Sequence, residues 1–143
     1  MMLLAVDTTA AIATAALFQD GALIEERAAD AGKKHAETVL PLIDELLEQN
    51  DVVIGEIDLF AVDIGPGSFT GVRIGVSLVN ALAFATGKKI IPVNALLALA
   101  TAIDEPNRPV CTLIDARNGN AYAALYQAGQ EMLAPEGVEL NSF

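Results

Sequence analysis

This chain has no tryptophan, one cysteine, one histidine and only 5% aromatic residues in 143 positions, and each scarcity closes off a class of function. Cys111 has no intramolecular partner, so no disulfide framework holds the fold, and a reducing compartment is the natural setting. The one imidazole, His35, cannot by itself build a histidine-rich metal site. Basic residues are few: 8 Lys and Arg stand against 19 Asp and Glu, a net charge of −11. Affinity for a nucleic-acid backbone comes from neutralising phosphates with Lys and Arg, so the chain is not expected to hold RNA alone; a second protein would have to supply the positive surface. Long hydrophobic runs are missing too. Although 53% of residues are hydrophobic, the longest uncharged stretches, Ile74 to Gly87 and Ile90 to Ile103, fall short of a bilayer span and contain Asn80, Pro92 and Asn94. No basic flank precedes the first apolar residues, which excludes a signal peptide there and makes a cytoplasmic address the expectation.

What is present is an ordered series of elements. Leu3 to Asp7 reads as a buried strand, and Ala11 to Phe18 with Ala22 to Ala28 form a hairpin around Asp20-Gly21, a type I′ turn signal. From His35 to Asn50, Val39, Leu40, Ile43, Leu46 and Leu47 recur at helical spacing with Leu42 at the stripe's edge, while Glu37, Asp44, Glu45 and Glu48 mark a solvated side. Ile57 to Ile64 is the next strand, Thr70 to Thr86 a helix, Lys89 to Val93 a short strand and Asn94 to Ile103 a third helix. Pro106 and Pro109 mark a boundary, after which Val110 to Asp115 and Ala121 to Gln127 form a second hairpin around Asn118-Gly119. The pattern predicts an α/β fold with a mixed sheet and flanking helices: one lobe over 1–105, and over 106–143 the opening strands of a second. Cys111, in an apolar strand, is expected to be a small core residue.

The run Gly65-Pro66-Gly67-Ser68-Phe69-Thr70-Gly71-Val72-Arg73-Ile74-Gly75 is the most specific stretch, with four glycines in eleven residues. Proline fixes one backbone angle and its flanking glycines leave positive φ open, so a tight strand-to-helix turn follows, with Ser68 or Thr70 placed to cap the helix. Such a turn either serves geometry alone or offers bare amides to an anion; it is neither a Walker loop nor a G-x-G-x-x-G fingerprint. Within the helix, Thr70, Arg73, Ser77 and Asn80 crowd one narrow side and apolar residues cover more than half the circumference. Gly71 and Gly75, one turn apart, leave a flat spot for close approach, either by a second molecule or by the His35–Asn50 helix of the same chain.

In order along the chain, Leu4-Ala5-Val6-Asp7-Thr8-Thr9, the segment His35 to Ile43, the Gly65–Gly75 run and Asp115 to Tyr122 resemble the bacterial TsaB (YeaZ) family, whose members help make N6-threonylcarbamoyladenosine in transfer RNA. The resemblance implies a two-lobed fold of the actin, sugar-kinase and heat-shock ATPase class with ribonuclease-H-like lobes. Family members run longer than 143 residues, which implies an incomplete second lobe. It also implies partners: the catalytic paralogue TsaD, the ATPase TsaE and TsaC-type enzymes that supply threonylcarbamoyl-adenylate. Family members use the two main helices for homodimers and for the catalytic heterodimer, which implies a partner face at His35, Val39, Leu42, Ile43 and Leu46 on the first helix. On the second, the corresponding positions are Gly71, Val72, Gly75, Val79 and Leu82. Transfer RNA would be met only through the complex.

Catalysis by this chain itself is not expected. The catalytic paralogue resembles the M22 metallopeptidase-like group and holds metal partly through H-x-x-x-H on a helix; here Val39 stands where the second histidine would be. His35 is then expected to be a solvated or hydrogen-bonded surface residue. Asp7 and Thr8 look like the first phosphate loop of the actin-like class without its glycine, and Asp7 reads equally as a turn and capping residue. Ser68, Arg73 and Arg117 complete a set that would lie near ATP or ADP if nucleotide sits at the partner interface; none is expected to be held by the chain alone. Arg117 is otherwise a solvated turn residue or half of an Asp115–Arg117 pair, and Arg73 the polar edge of its helix. The competing readings are an ATP-hydrolysing or peptidase-like enzyme of the same fold and a homodimeric interaction module with no RNA connection.

Overall fold

The computed structural model of the chain describes residues 1–32 and 34–140. Its elements run β1 (Met2–Asp7), β2 (Ile12–Gln19), β3 (Ala22–Asp30), α1 (His35–Gln49), β4 (Leu59–Asp63), α2 (Phe69–Thr86), β5 (Lys89–Val93), α3 (Ala95–Thr101), β6 (Val110–Arg117), β7 (Asn120–Gln127) and β8 (Gln130–Glu139). They group into two units, one of residues 1–64 with 68–92, the other of residues 65–67 with Val93 onward.

In the first unit β1 lies at the centre of a five-stranded sheet of order β3-β2-β1-β4-β5. It pairs antiparallel with β2, Leu4 opposite Leu17, and parallel with β4, Leu4 opposite Phe60. Because alternate strand residues share a face, this register puts Leu4, Leu17 and Phe60 in one row, and all three are fully buried. The β2–β3 turn carries positive φ at Asp20 (52°) and Gly21 (84°), the geometry that Asp-Gly accepts. α1 packs over β2 and β3, α2 over β1 and β4, and the two helices touch. Val39, Ile43, Leu46, Leu47, Val79 and Ala83 close the core from the helical side.

α2 is, among the described residues, the one helix long and apolar enough to cross a membrane. Its buried positions are Gly71, Gly75, Val79 and Ala83, an i, i+4 stripe laid on the sheet of an α/β unit. Ser68 caps it, its hydroxyl accepting from Gly71 N at 3.2 Å, and Gly87 ends it at φ 67°. α1 begins differently: Lys34 at its N-cap supplies no side-chain acceptor.

In the second unit, α3 is capped by Asn94, whose Oδ1 accepts from Leu96 N at 2.9 Å and Leu97 N at 3.2 Å. It packs on β6 and β7 around Leu96, Ala100, Ala124 and Tyr126. The division therefore falls at Pro92–Val93 rather than between 105 and 106, because the apolar face of α3 is buried with the later strands. β8, absent from the sequence reading, completes a β6-β7-β8 meander through Ala128 and Gly129, both at positive φ. Cys111 is exposed rather than in the core, since strand alternation turns its neighbour Thr112 inward. Residues 141–143, counted in the expected second lobe, lie outside the described residues.

Candidate functional site

The first unit carries a groove between α1 and α2, with a volume of about 490 Å³. Ala36, Val39 and Leu40 line it from α1, and Thr70, Arg73, Ile74, Ser77 and Leu78 from α2. Its floor is apolar, and among the described lining residues the one cation is Arg73, whose guanidinium sits 5.2 Å from the ring centroid of Phe69. Phe69 is 75% exposed and Leu40 41%. An apolar trough bordered by an exposed aromatic stacked under arginine has the composition that binding hot spots favour. The polar residues placed on the narrow side of α2, Thr70, Arg73, Ser77 and Asn80, are indeed exposed.

Most residues assigned to the partner face are instead consumed by the chain's own core. Val39, Ile43, Leu46 and Val79 are at most 1% exposed and Leu42 is also buried, because the stripe that faces the sheet is the stripe that the periodicity reveals. Of these only Val39 reaches the groove, as part of its floor. Val72 and Leu82 are half-buried. The flat spot at Gly71 and Gly75 is not free for another helix either. A Cβ on Gly71 would lie 1.9 Å from the Thr8 carbonyl oxygen, and one on Gly75 2.3 Å from Thr8 Oγ1. The residue that fills the space comes from the end of β1, neither from α1 nor from a second molecule.

The nucleotide-proximal set divides. Thr8 is 1% exposed and its hydroxyl donates to Gly71 O at 2.6 Å, so it is a packing residue, unavailable to a ligand. Asp7 accepts from Thr9 N at 2.7 Å in an Asx-type turn. Ser68 is committed to capping α2, and Arg73 is exposed at the groove rim. Arg117 belongs to the second unit, exposed at φ 68° beside a register shift in β6. Its backbone N–H, not its guanidinium, donates to Asp115 Oδ1 at 2.7 Å, so of the two readings, solvated turn residue or half of an ion pair, the geometry fits the first.

His35 is buried rather than at the surface. Its Nε2 lies 2.6 Å from Ala10 O; a carbonyl can only accept, so Nε2 carries the proton. Among the described residues no group of three or more His, Cys, Asp and Glu is placed to hold a metal ion. Arg27 binds Glu25 of its own strand β3 at 2.8 Å and reaches across to α1 at Glu45, 3.3 Å away, and at Gln49. Arg27 above all, with Asn50, holds the Glu25 carboxyl below the usual carboxylate range. In the second unit, burial chiefly pushes the Tyr126 phenol up, with Glu131 adding to it.

None of the groove residues Ala36, Leu40, Thr70, Ile74, Ser77 and Leu78 was assigned to the partner face from sequence, although Leu40, Thr70 and Ser77 were placed on their helices. A wheel for each helix shows which face is apolar; a trough appears only when two neighbouring edges are laid side by side.

Comparison with known proteins places the fold. A family model described as TsaD: tRNA N6-adenosine threonylcarbamoyltransferase matches residues 27–139. The tRNA threonylcarbamoyladenosine biosynthesis protein TsaB of Haemophilus influenzae is 36% identical over 124 residues, 85% of this chain and 52% of that protein. The solved structure of YeaZ from Pseudomonas aeruginosa superposes with a TM-score of 0.80 at 33% identity, covering 96% of this chain and 66% of that one. The ethanolamine utilization protein EutJ of Carboxydothermus hydrogenoformans, at 15% identity and a TM-score of 0.63, shares the fold alone, an α/β fold of the actin-like ATPase class. The chain spans about half the length of the TsaB proteins of Haemophilus influenzae, Escherichia coli and Bacillus subtilis, 52% to 56%. With the family model running over most of its residues and TsaB and YeaZ proteins aligned along nearly all of it, this chain belongs to the TsaB (YeaZ) family.

Proposed function

We propose that this chain is a non-catalytic component of the machinery that forms N6-threonylcarbamoyladenosine in transfer RNA. Its role is to pair with and activate a TsaD-type catalytic paralogue through the α1–α2 groove. The observation that carries this reading is the fate of the one histidine. His35 is buried and bound to Ala10 O, and Val39, one turn on, lies in the core, so the helix that would present two imidazoles to a metal presents none. What α1 and α2 do offer to solvent is a binding trough rather than a reaction centre.

The net charge of −11 supports contact with transfer RNA only through the partner. ATP or ADP would be held at the shared interface, within reach of Arg73 or Arg117, and not by the chain alone. TsaE joins the same assembly, the isolated chain forms homodimers through the same face, and the setting is cytoplasmic. The test is a reconstituted reaction with the catalytic paralogue, the ATPase and the adenylate-forming enzyme, read as modified nucleoside from digested transfer RNA. Product should depend on this chain, and the chain alone should retain no transfer RNA at moderate salt. Full product without it, or turnover by the chain alone, would overturn the assignment.

A further inference from the structure

The turn between β1 and β2 is gripped from two sides. On one side Ser68 N donates to Thr9 O at 2.7 Å and Thr8 Oγ1 donates to Gly71 O at 2.6 Å, which ties the turn to the first turn of α2. On the other, His35 Nε2 donates to Ala10 O at 2.6 Å, and Ala31 N and Gly32 N converge on Ala11 O at 3.1 and 3.2 Å. These bonds hold the start of α1, which has no side-chain cap of its own. His35 and Thr8 are 5% and 1% exposed, so water does not readily replace either bond. Four consecutive residues, Thr8 to Ala11, thus fasten both helix N-termini. The groove lies between those same N-terminal halves: its lining runs no further than Leu40 on α1 and Leu78 on α2.

We propose that Thr8 and His35 are positioning residues of the α1–α2 face. Through the β1–β2 turn they fix the two helix N-termini relative to each other and so set the width of the groove that a partner must fill. Neither side chain lines the groove. The inference rests on the reading of that groove as the partner face, but its first test does not. A partner's affinity then depends on bonds it never touches, because a groove whose walls drift must be reordered on binding.

Hydrogen exchange of the isolated full chain, read by mass spectrometry, tests the coupling. Thr8→Val keeps the shape and removes the donor. It should speed exchange about threefold or more in the first two turns of α1 as well as in α2. Thr8→Ser, which keeps the donor, should restore both. His35→Leu, an independent variant on the other helix, should speed exchange in the first turns of α2. If each change is felt only in its own helix, the two anchors are separate and the proposal falls. Titration against the TsaD-type paralogue tests the consequence: Thr8→Val and His35→Leu should bind about tenfold more weakly and Thr8→Ser like the parent. Parental affinity in both weakened variants would overturn the positioning role. Failure of the parent chain to bind at all would instead overturn the partner reading and leave the exchange result to judge the coupling.

Discussion

Thr8 and Gly71, 63 residues apart in sequence, are joined by a 2.6 Å hydrogen bond and by a contact that leaves no room for a Cβ. Helix propensity alone favours alanine over glycine in a helix by roughly 1 kcal/mol. Here the sign reverses. Gly71→Ala drives a methyl into the backbone carbonyl of Thr8, which cannot turn aside, and should destabilise the chain by about 3 kcal/mol or more in urea unfolding. Gly75→Ala meets the Thr8 hydroxyl instead, which can rotate at the loss of its bond, and should cost less, about 1–2 kcal/mol. Stabilisation by either change would mean that the strand end does not rest on α2.

The groove carries a prediction of opposite character, because its rim is exposed and its substitution need not disturb the core. Leu40→Glu and Phe69→Ala should leave the unfolding midpoint within experimental error. Each should weaken binding to the catalytic paralogue, by about 2 kcal/mol if it is a central anchor. Glu48→Ala, on an exposed position of α1 outside the groove, is the control. Variants that bind like the parent would place the partner elsewhere.

The hairpins were legible because their chemistry is local. Asp20-Gly21 and Asn118-Gly119 supply positive φ where a two-residue turn demands it, and the flanking alternation names the strands. The glycines of α2 were legible as a surface without side chains, yet sequence does not say what approaches such a surface. The answer, Thr8, comes from the end of β1, 63 residues before Gly71, and nothing in the glycine run names it. The partner face was harder to place: periodicity finds the face that the chain buries in itself, and Val39, Ile43, Leu46 and Val79, which the family resemblance put at an interface, are buried in the chain's own core. β8 escaped because Ala128-Gly129 is a weak turn signal and most of the strand is exposed, so little alternation marks it.

Glu25 sets an acid dependence. Its carboxyl is held below the usual carboxylate range first by Arg27 and then by Asn50, both at 2.8 Å. A carboxyl whose folded value is lowered stabilises the fold above its unfolded value, and that contribution is lost as pH falls through the folded one. The melting temperature should therefore drop as pH is taken from about 5 to 3, and Glu25→Gln should flatten part of that drop. Identical slopes for parent and variant would assign the acid sensitivity to other carboxylates.

Arg117 separates a backbone role from a side-chain role. The register shift between Asp115 and Arg117 is a bulge, and bulges re-aim the side chain that follows them. Its N–H holds Asp115, and its φ of 68° lies in the left-handed region that favours glycine. The exposed guanidinium has no part in either feature. Arg117→Gly should therefore leave the fold as stable as the parent, and Arg117→Ala should change stability by less than about 1 kcal/mol. Both should reduce modified nucleoside in the reconstituted reaction if the guanidinium reaches nucleotide at the shared interface. Arg117→Lys keeps the charge but loses the planar fork, so partial recovery would point to charge alone and none to bidentate recognition of phosphate. Full product from both Arg117→Gly and Arg117→Ala would reduce the residue to a turn cation.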